Sequence, residues 1–182
     1  MILPKFLALL SILTVSRADE NPYDCATWSR CPYFNGYTEF RRGDLIWCSK
    51  PYAFPAGSKP VTLEMAQQIC DHNFVELSTL GTREEYDYYY RFAQRYGTTA
   101  TWLKVKHNTT TGLYEQDDYG HSFDPTITPQ PNVTPGTWPA FVFGNDNDLS
   151  PSGYGQFEAV NVNGTGPRVN MVICGYPGFN WN

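Results

Sequence analysis

Charge is scarce in this chain: Asp, Glu, Lys and Arg make up 17% of its 182 residues, and no block of like charge occurs. With 13 Lys and Arg against 18 Asp and Glu, the formal charge is −5, which gives no footing for nucleic acid or anionic lipid. Histidine is scarcer still. His72, His107 and His121 are too far apart in sequence to form a local zinc pair, and neither a Gly-x-Ser-x-Gly elbow nor an activated-cysteine motif is present. Nothing in the sequence therefore points to catalysis. After the first residues there is no apolar run long enough to cross a bilayer, so no membrane insertion is expected. Internal repeats are also missing, which excludes solenoids and propellers.

Aromatic residues, by contrast, are plentiful at 16%, and with so few charges they argue for a packed core rather than disorder. The N-terminus has Lys5, an apolar run from Phe6 to Leu13, then Ser16, Arg17 and Ala18, the order of a secretory signal. Cleavage is expected after Ala18, making 1–18 a signal peptide and 19–182 one secreted, extracellular domain with 19–30 as an N-terminal extension. That cut removes Lys5 and Arg17 and no acid, leaving eleven cations against 18 acids, a charge of −7.

Five cysteines remain, Cys25, Cys31, Cys48, Cys70 and Cys174, in a compartment where disulfides persist. An odd count leaves one over, and arithmetic alone does not choose the pairs. A bridge between Cys70 and Cys174 would close a loop of about 104 residues and stabilise by roughly 4 to 5 kcal/mol on the chain-entropy model.

The stretch 61–80 reads as a helix feeding a buried strand. Thr62 is placed to cap it, and Leu63, Ala66, Ile69 and Cys70 recur along one face. Asp71, His72 and Asn73 end it, and Phe74, Val75, Leu77 and Leu80 form an apolar run. A second helix opens on a capping box of Thr82 and Glu85, carries Tyr86, Tyr89, Ala93 and Tyr96 on one face, and stops at Gly97. The tyrosine stripe is read as core.

Around these helices the strand signals are short. GYTEF and LIWC form a hairpin joined by Arg41, Arg42, Gly43 and Asp44. Arg42, Gly43 and Asp44 also spell the tripeptide that integrins recognise, but turns favour the same residues, and the turn is the reading adopted. TWLKVKH is a strand with its lysines on the wet face, returning through Leu113 and Tyr114. The Pro- and Thr-rich segment 124–136 reads as a long loop. At the end, QFEAVNV and VNMVIC read as a hairpin closing a sheet. Asn108, Asn132 and Asn163 head glycosylation sequons.

Taken in order, these features resemble the C-type lectin-like domain. A hairpin ending at Trp47 and Cys48 comes first, then MAQQIC, LSTLGTREE, the Trp-led TWLKV and finally MVICG. The resemblance spans Cys31 to Cys174 and implies an α+β fold in which two helices flank small antiparallel sheets, stapled by disulfides, with the ligand site on a long irregular loop. It further implies the pairs Cys70–Cys174 and Cys31–Cys48. Cys25 is then left to form a covalent dimer, to stay reduced, or to replace Cys31.

The departures from the family bear on function. The cysteine pair that braces the long loop is missing, Phe157 or Ala159 and the NGTGPR turn standing in that region. Sugar-binding members hold calcium through a Glu-Pro-Asn or Gln-Pro-Asp triplet, a later Glu and a Trp-Asn-Asp triplet, because a hard cation wants several converging oxygens. Here Gln130, Pro131 and Asn132 are a hybrid, with no acid before Asn145 and no Trp-Asn-Asp. Asn145, Asp146, Asn147 and Asp148 are read as a solvated turn, so no cofactor is expected and recognition should not depend on calcium.

The resemblance makes the chain a non-enzymatic module binding a glycan or protein ligand. Candidate ligand-binding residues are Gln130, Asn132, Trp138, Asn145, Asp146 and Asp148. Trp138, Phe143 and Tyr154 either stack on a sugar ring or hold the loop down as a small core. A secreted matrix protein linked through Cys25 is the alternative, with a secreted enzyme behind it.

Overall fold

The computed structural model describes residues 31, 36–55, 57–108, 110, 113–116, 136–144, 153–162 and 168–178. The signal segment 1–18, the extension 19–30 with Cys25, and the loop 124–135 lie outside them. Two helices, α1 (Leu63–His72) and α2 (Arg83–Tyr96), are set among the strands β1 (Thr38–Arg42), β2 (Leu45–Ala53), β3 (Glu76–Leu77), β4 (Ala100–Trp102), β5 (Val105–Asn108), β6 (Leu113–Gln116), β7 (Thr137–Phe143), β8 (Gly155–Asn161) and β9 (Met171–Pro177). The architecture is α+β.

The main sheet runs β1-β2-β9-β4-β7-β8, with β3 also paired to β9, while β5 and β6 form a separate ribbon. Pairing is antiparallel except between β4 and β9, where Thr101 lies opposite Met171 in parallel. This corrects the expected terminal hairpin. β8 pairs with β7 alone, and β4 and β7 stand between it and β9. The expected strand TWLKVKH is likewise split at Leu103 and Lys104, its halves joining different sheets.

Both faces of the sheet are covered, and strand alternation divides the core in two. Met171 and Ile173 of β9, with Phe141 and Phe143 of β7, join Tyr86, Tyr89, Tyr90 and Ala93 of α2. Val172 and Cys174, with Ala140, join Ala66 and Cys70 of α1 and Trp102. A strand buried on both sides reads as a continuous apolar run, which is why VNMVIC shows no polar alternation.

Local chemistry fixes the helices as expected at their starts. Thr62 accepts from the Met65 amide at 3.2 Å, and Thr82 with Glu85 forms the full capping box. The buried face of α2 needs correction: Tyr90, not Tyr96, completes it, and Tyr96 is 51% exposed. Phe74 is corrected too. It takes a left-handed backbone (φ 59°) in the turn after α1 and is 96% exposed, so it leaves the apolar run that Val75 and Leu77 continue.

Cys31–Cys48 and Cys70–Cys174 are bonded, with Cα separations of 5.5 and 5.3 Å. The first ties the segment before β1 to the hairpin, and the second ties α1 to β9. The hairpin turn is tighter than expected, because Arg41 and Arg42 belong to β1 and only Gly43 and Asp44 turn. Arg42 is buried (1% exposed). Its Nε donates to Glu85 at 2.9 Å, its Nη2 donates to the Thr79 carbonyl at 2.9 Å, and its guanidinium lies 4.5 Å from the Trp47 ring centre. An arginine held this way is not presented to a partner, so the tripeptide is structural.

Candidate functional site

The long loop returns to the fold at Trp138. β7 positions this residue beside both core clusters, and its indole N–H donates to the Leu103 carbonyl at 2.8 Å. The half-buried ring also borders an open cleft of about 390 Å³, whose other walls come from α1 (Gln67, Asp71), β3 (Glu76, Leu77) and the β4–β5 junction (Lys104, Val105). Trp138 thus serves both readings made of it: it is part of the core and part of a concave surface. Phe143 and Tyr154 are core alone, 5% and 4% exposed.

Lys104 is held through both its backbone and its side chain. Lys104 donates its amide to the Ser78 carbonyl at 3.1 Å, and its ammonium pairs with Glu76. The two side chains are 24% and 45% exposed, so the pair faces water and is worth little to stability. Its effect is positional: it sets a carboxylate and an ammonium in a cleft that the Trp138 indole, the Gln67 amide and the Asp71 carboxylate also line.

Of the sequence-predicted residues, the structure places Trp138 at this cleft. Gln130, Asn132, Asn145, Asp146, Asp148 and the sequon Asn163 lie outside the described residues. Asn108 ends β5. His72 is an exposed residue at the last turn of α1. Sequence reasoning missed Glu76, Lys104, Asp71 and Gln67. The one available signal was the break in alternation at Leu103-Lys104, read instead as a solvated lysine.

The described residues do not fit a calcium ion here. Among them no group of three or more His, Cys, Asp or Glu is arranged to hold a metal, and Glu76 is engaged by an ammonium that repels a second cation.

No family model and no curated protein matches the sequence. Among solved structures, the chain is similar to the Ca2+-independent C-type lectin SPL-2 from Saxidomus purpuratus, at 18% identity and a TM-score of 0.48, covering 80% of this chain and 93% of that one. It is also similar to the cow C-type carbohydrate-recognition domain of CD23, solved in the presence of a GlcNAc2Man3 oligosaccharide (12%, 0.47, 79% and 95%). SPL-1 in complex with GlcNAc gives 14%, 0.47, 78% and 92%. The element order and the two disulfides of this chain carry the assignment of fold. The fold is C-type-lectin-like.

Proposed function

We propose that the chain is an exported, non-enzymatic carbohydrate-recognition module whose ligand site is built at the Trp138 cleft and the loop that ends there, without calcium. The observation that carries the reading is the donor set of the cleft. A sugar ring presents an apolar C–H face and a rim of hydroxyls that both donate and accept. An indole supplies the flat apolar surface, and Glu76, Asp71, Gln67 and Lys104 supply acceptors and donors around it. The Lys104–Glu76 pair does for these groups what a cation does in a metal-dependent site, holding a carboxylate in place and offsetting its charge. Export follows from the signal-like N-terminus and is supported by two disulfides, which persist in oxidising compartments.

A glycan array tests the proposal, comparing the parent with the Glu76→Gln/Lys104→Met variant, whose substitutions fall on half-buried side chains outside the core clusters. For at least one glycan bound by the parent, the signal should fall at least tenfold in the variant and be unchanged by a calcium chelator. A variant in which no glycan loses signal, or loss of that glycan's binding on chelation, would refute it.

A further inference from the structure

A second cleft lies on the outward face of α2, away from Trp138 in sequence and lined by none of the residues of the first site. Its volume is about 610 Å³, and β1 and α2 form its walls. Three rings, Tyr88, Phe92 and Tyr96, follow at helical spacing and run about 12 Å along the helix. Tyr88 and Tyr96 are 36% and 51% exposed, two of the four large apolar side chains exposed among the described residues.

These rings are set rather than loose. The Thr38 hydroxyl donates to the Tyr88 hydroxyl at 3.1 Å, and the Phe40 ring stands edge-on to Tyr88 at 5.4 Å. Phe92 and Tyr96 lie 4.4 Å apart, tilted by 35°. Arg95 also lies against Tyr96, 5.6 Å from the ring centre, and the ring is 51% exposed between these two neighbours.

The polar lining says what kind of ligand. Two acids and two arginines border the cleft, Glu84 and Asp87 against Arg91 and Arg95, so it carries no net formal charge. Asp87 pairs with Arg91 at 3.0 Å, whereas Glu84 and Arg95 have no ion-pair partner among the described residues. A site for an anion would carry an excess of cations, and a site for an apolar partner would exclude four charges. A row of partly exposed rings bordered by an acid and a guanidinium outside any ion pair suits a neutral ligand with apolar faces and hydroxyl edges.

We infer that the α2 cleft is a second binding site, for a neutral oligosaccharide long enough to place more than one pyranose ring along Tyr88, Phe92 and Tyr96. It is independent of the Trp138 site and does not rest on that reading.

The test uses saturation-transfer NMR with neutral β-linked tetraoses of glucose, mannose and N-acetylglucosamine and one sulfated tetraose. The protein carries Glu76→Gln/Lys104→Met, which disables the first cleft. At least one neutral tetraose should bind, with affinity falling at least tenfold when Tyr88→Ala and Tyr96→Ala are added while the circular-dichroism spectrum and melting temperature hold. Phe replacements at both positions should keep the rings and restore most binding. The inference is overturned if no neutral tetraose binds, if only the sulfated one does, or if the Ala variant binds as well as its parent. It is also overturned if light scattering shows a dimer that the Ala variant abolishes, which would make the face an interface between copies.

Discussion

Replacing the buried Arg42 by Met should destabilise this fold strongly, and the structure fixes the scale. Glu85 is fully buried and receives Arg42, with the Gly81 and Thr82 amides on its other oxygen. Burial pushes its carboxyl above the ordinary range, and Arg42 is the largest influence pulling it back. Removing one partner of a buried pair leaves an uncompensated charge and costs about 3 to 5 kcal/mol. The Thr79 carbonyl also loses one of its donors, keeping the Ser78 hydroxyl. At a melting temperature shift of about 2 to 4 °C per kcal/mol for a domain of this size, Arg42→Met should melt roughly 6 to 20 °C lower. The Arg42→Met/Glu85→Gln pair removes the stranded charge and keeps an acceptor for both amides, so it should recover at least half of that loss. Urea unfolding at neutral pH with the disulfides intact measures all three. A loss under about 1 kcal/mol for Arg42→Met, or a double variant no better than the sum of its parts, would refute the reasoning.

Alkaline pH should unfold the domain through its tyrosines. Burial raises the phenols of Tyr37, Tyr89 and Tyr176 above their ordinary value of 10.0, so the folded state holds these protons more tightly than the unfolded chain. Stability is then fully present below about pH 10 and falls as pH rises beyond it. Phenolate absorbance should accordingly show part of the tyrosine signal appearing only with loss of structure; complete titration of a folded domain near pH 10 would contradict this. Phe74→Asn should stabilise by about 1 kcal/mol in urea, because asparagine tolerates the left-handed backbone and the exposed ring packs on little. A destabilised variant would mean that Phe74 makes contacts the fold needs.

Much of the fold was legible because its signals are local. Thr62, Thr82 with Glu85, and Gly97 mark helix ends through hydrogen bonds that reach four residues at most. The resemblance supplied the disulfide pairs, which composition alone could not choose. The order of the strands was not legible. Whether β9 takes β8 or β2 and β4 as neighbours is decided by elements far apart in sequence. Arg42 shows the same limit from another side: beside Gly43 it reads as turn, and its burial depends on a carboxylate 43 residues away. At the site, Trp138 was found because an aromatic next to a long loop is conspicuous. Glu76 and Lys104 were not, since a lone charge in a strand reads as a solvated face until the chain brings its partner to it across 28 residues.

The central claim is that recognition is built around Trp138, and the signal of its indole N–H in a 15N spectrum reports on it directly. That N–H is held by the Leu103 carbonyl, and Trp138→Phe assigns it by deletion. When an oligosaccharide selected on the array is added in the presence of a calcium chelator, the Trp138 indole and the Glu76 and Lys104 amides should shift together and saturate at one affinity. Saturable binding that leaves those three signals in place and moves only residues elsewhere, α2 included, would contradict the account.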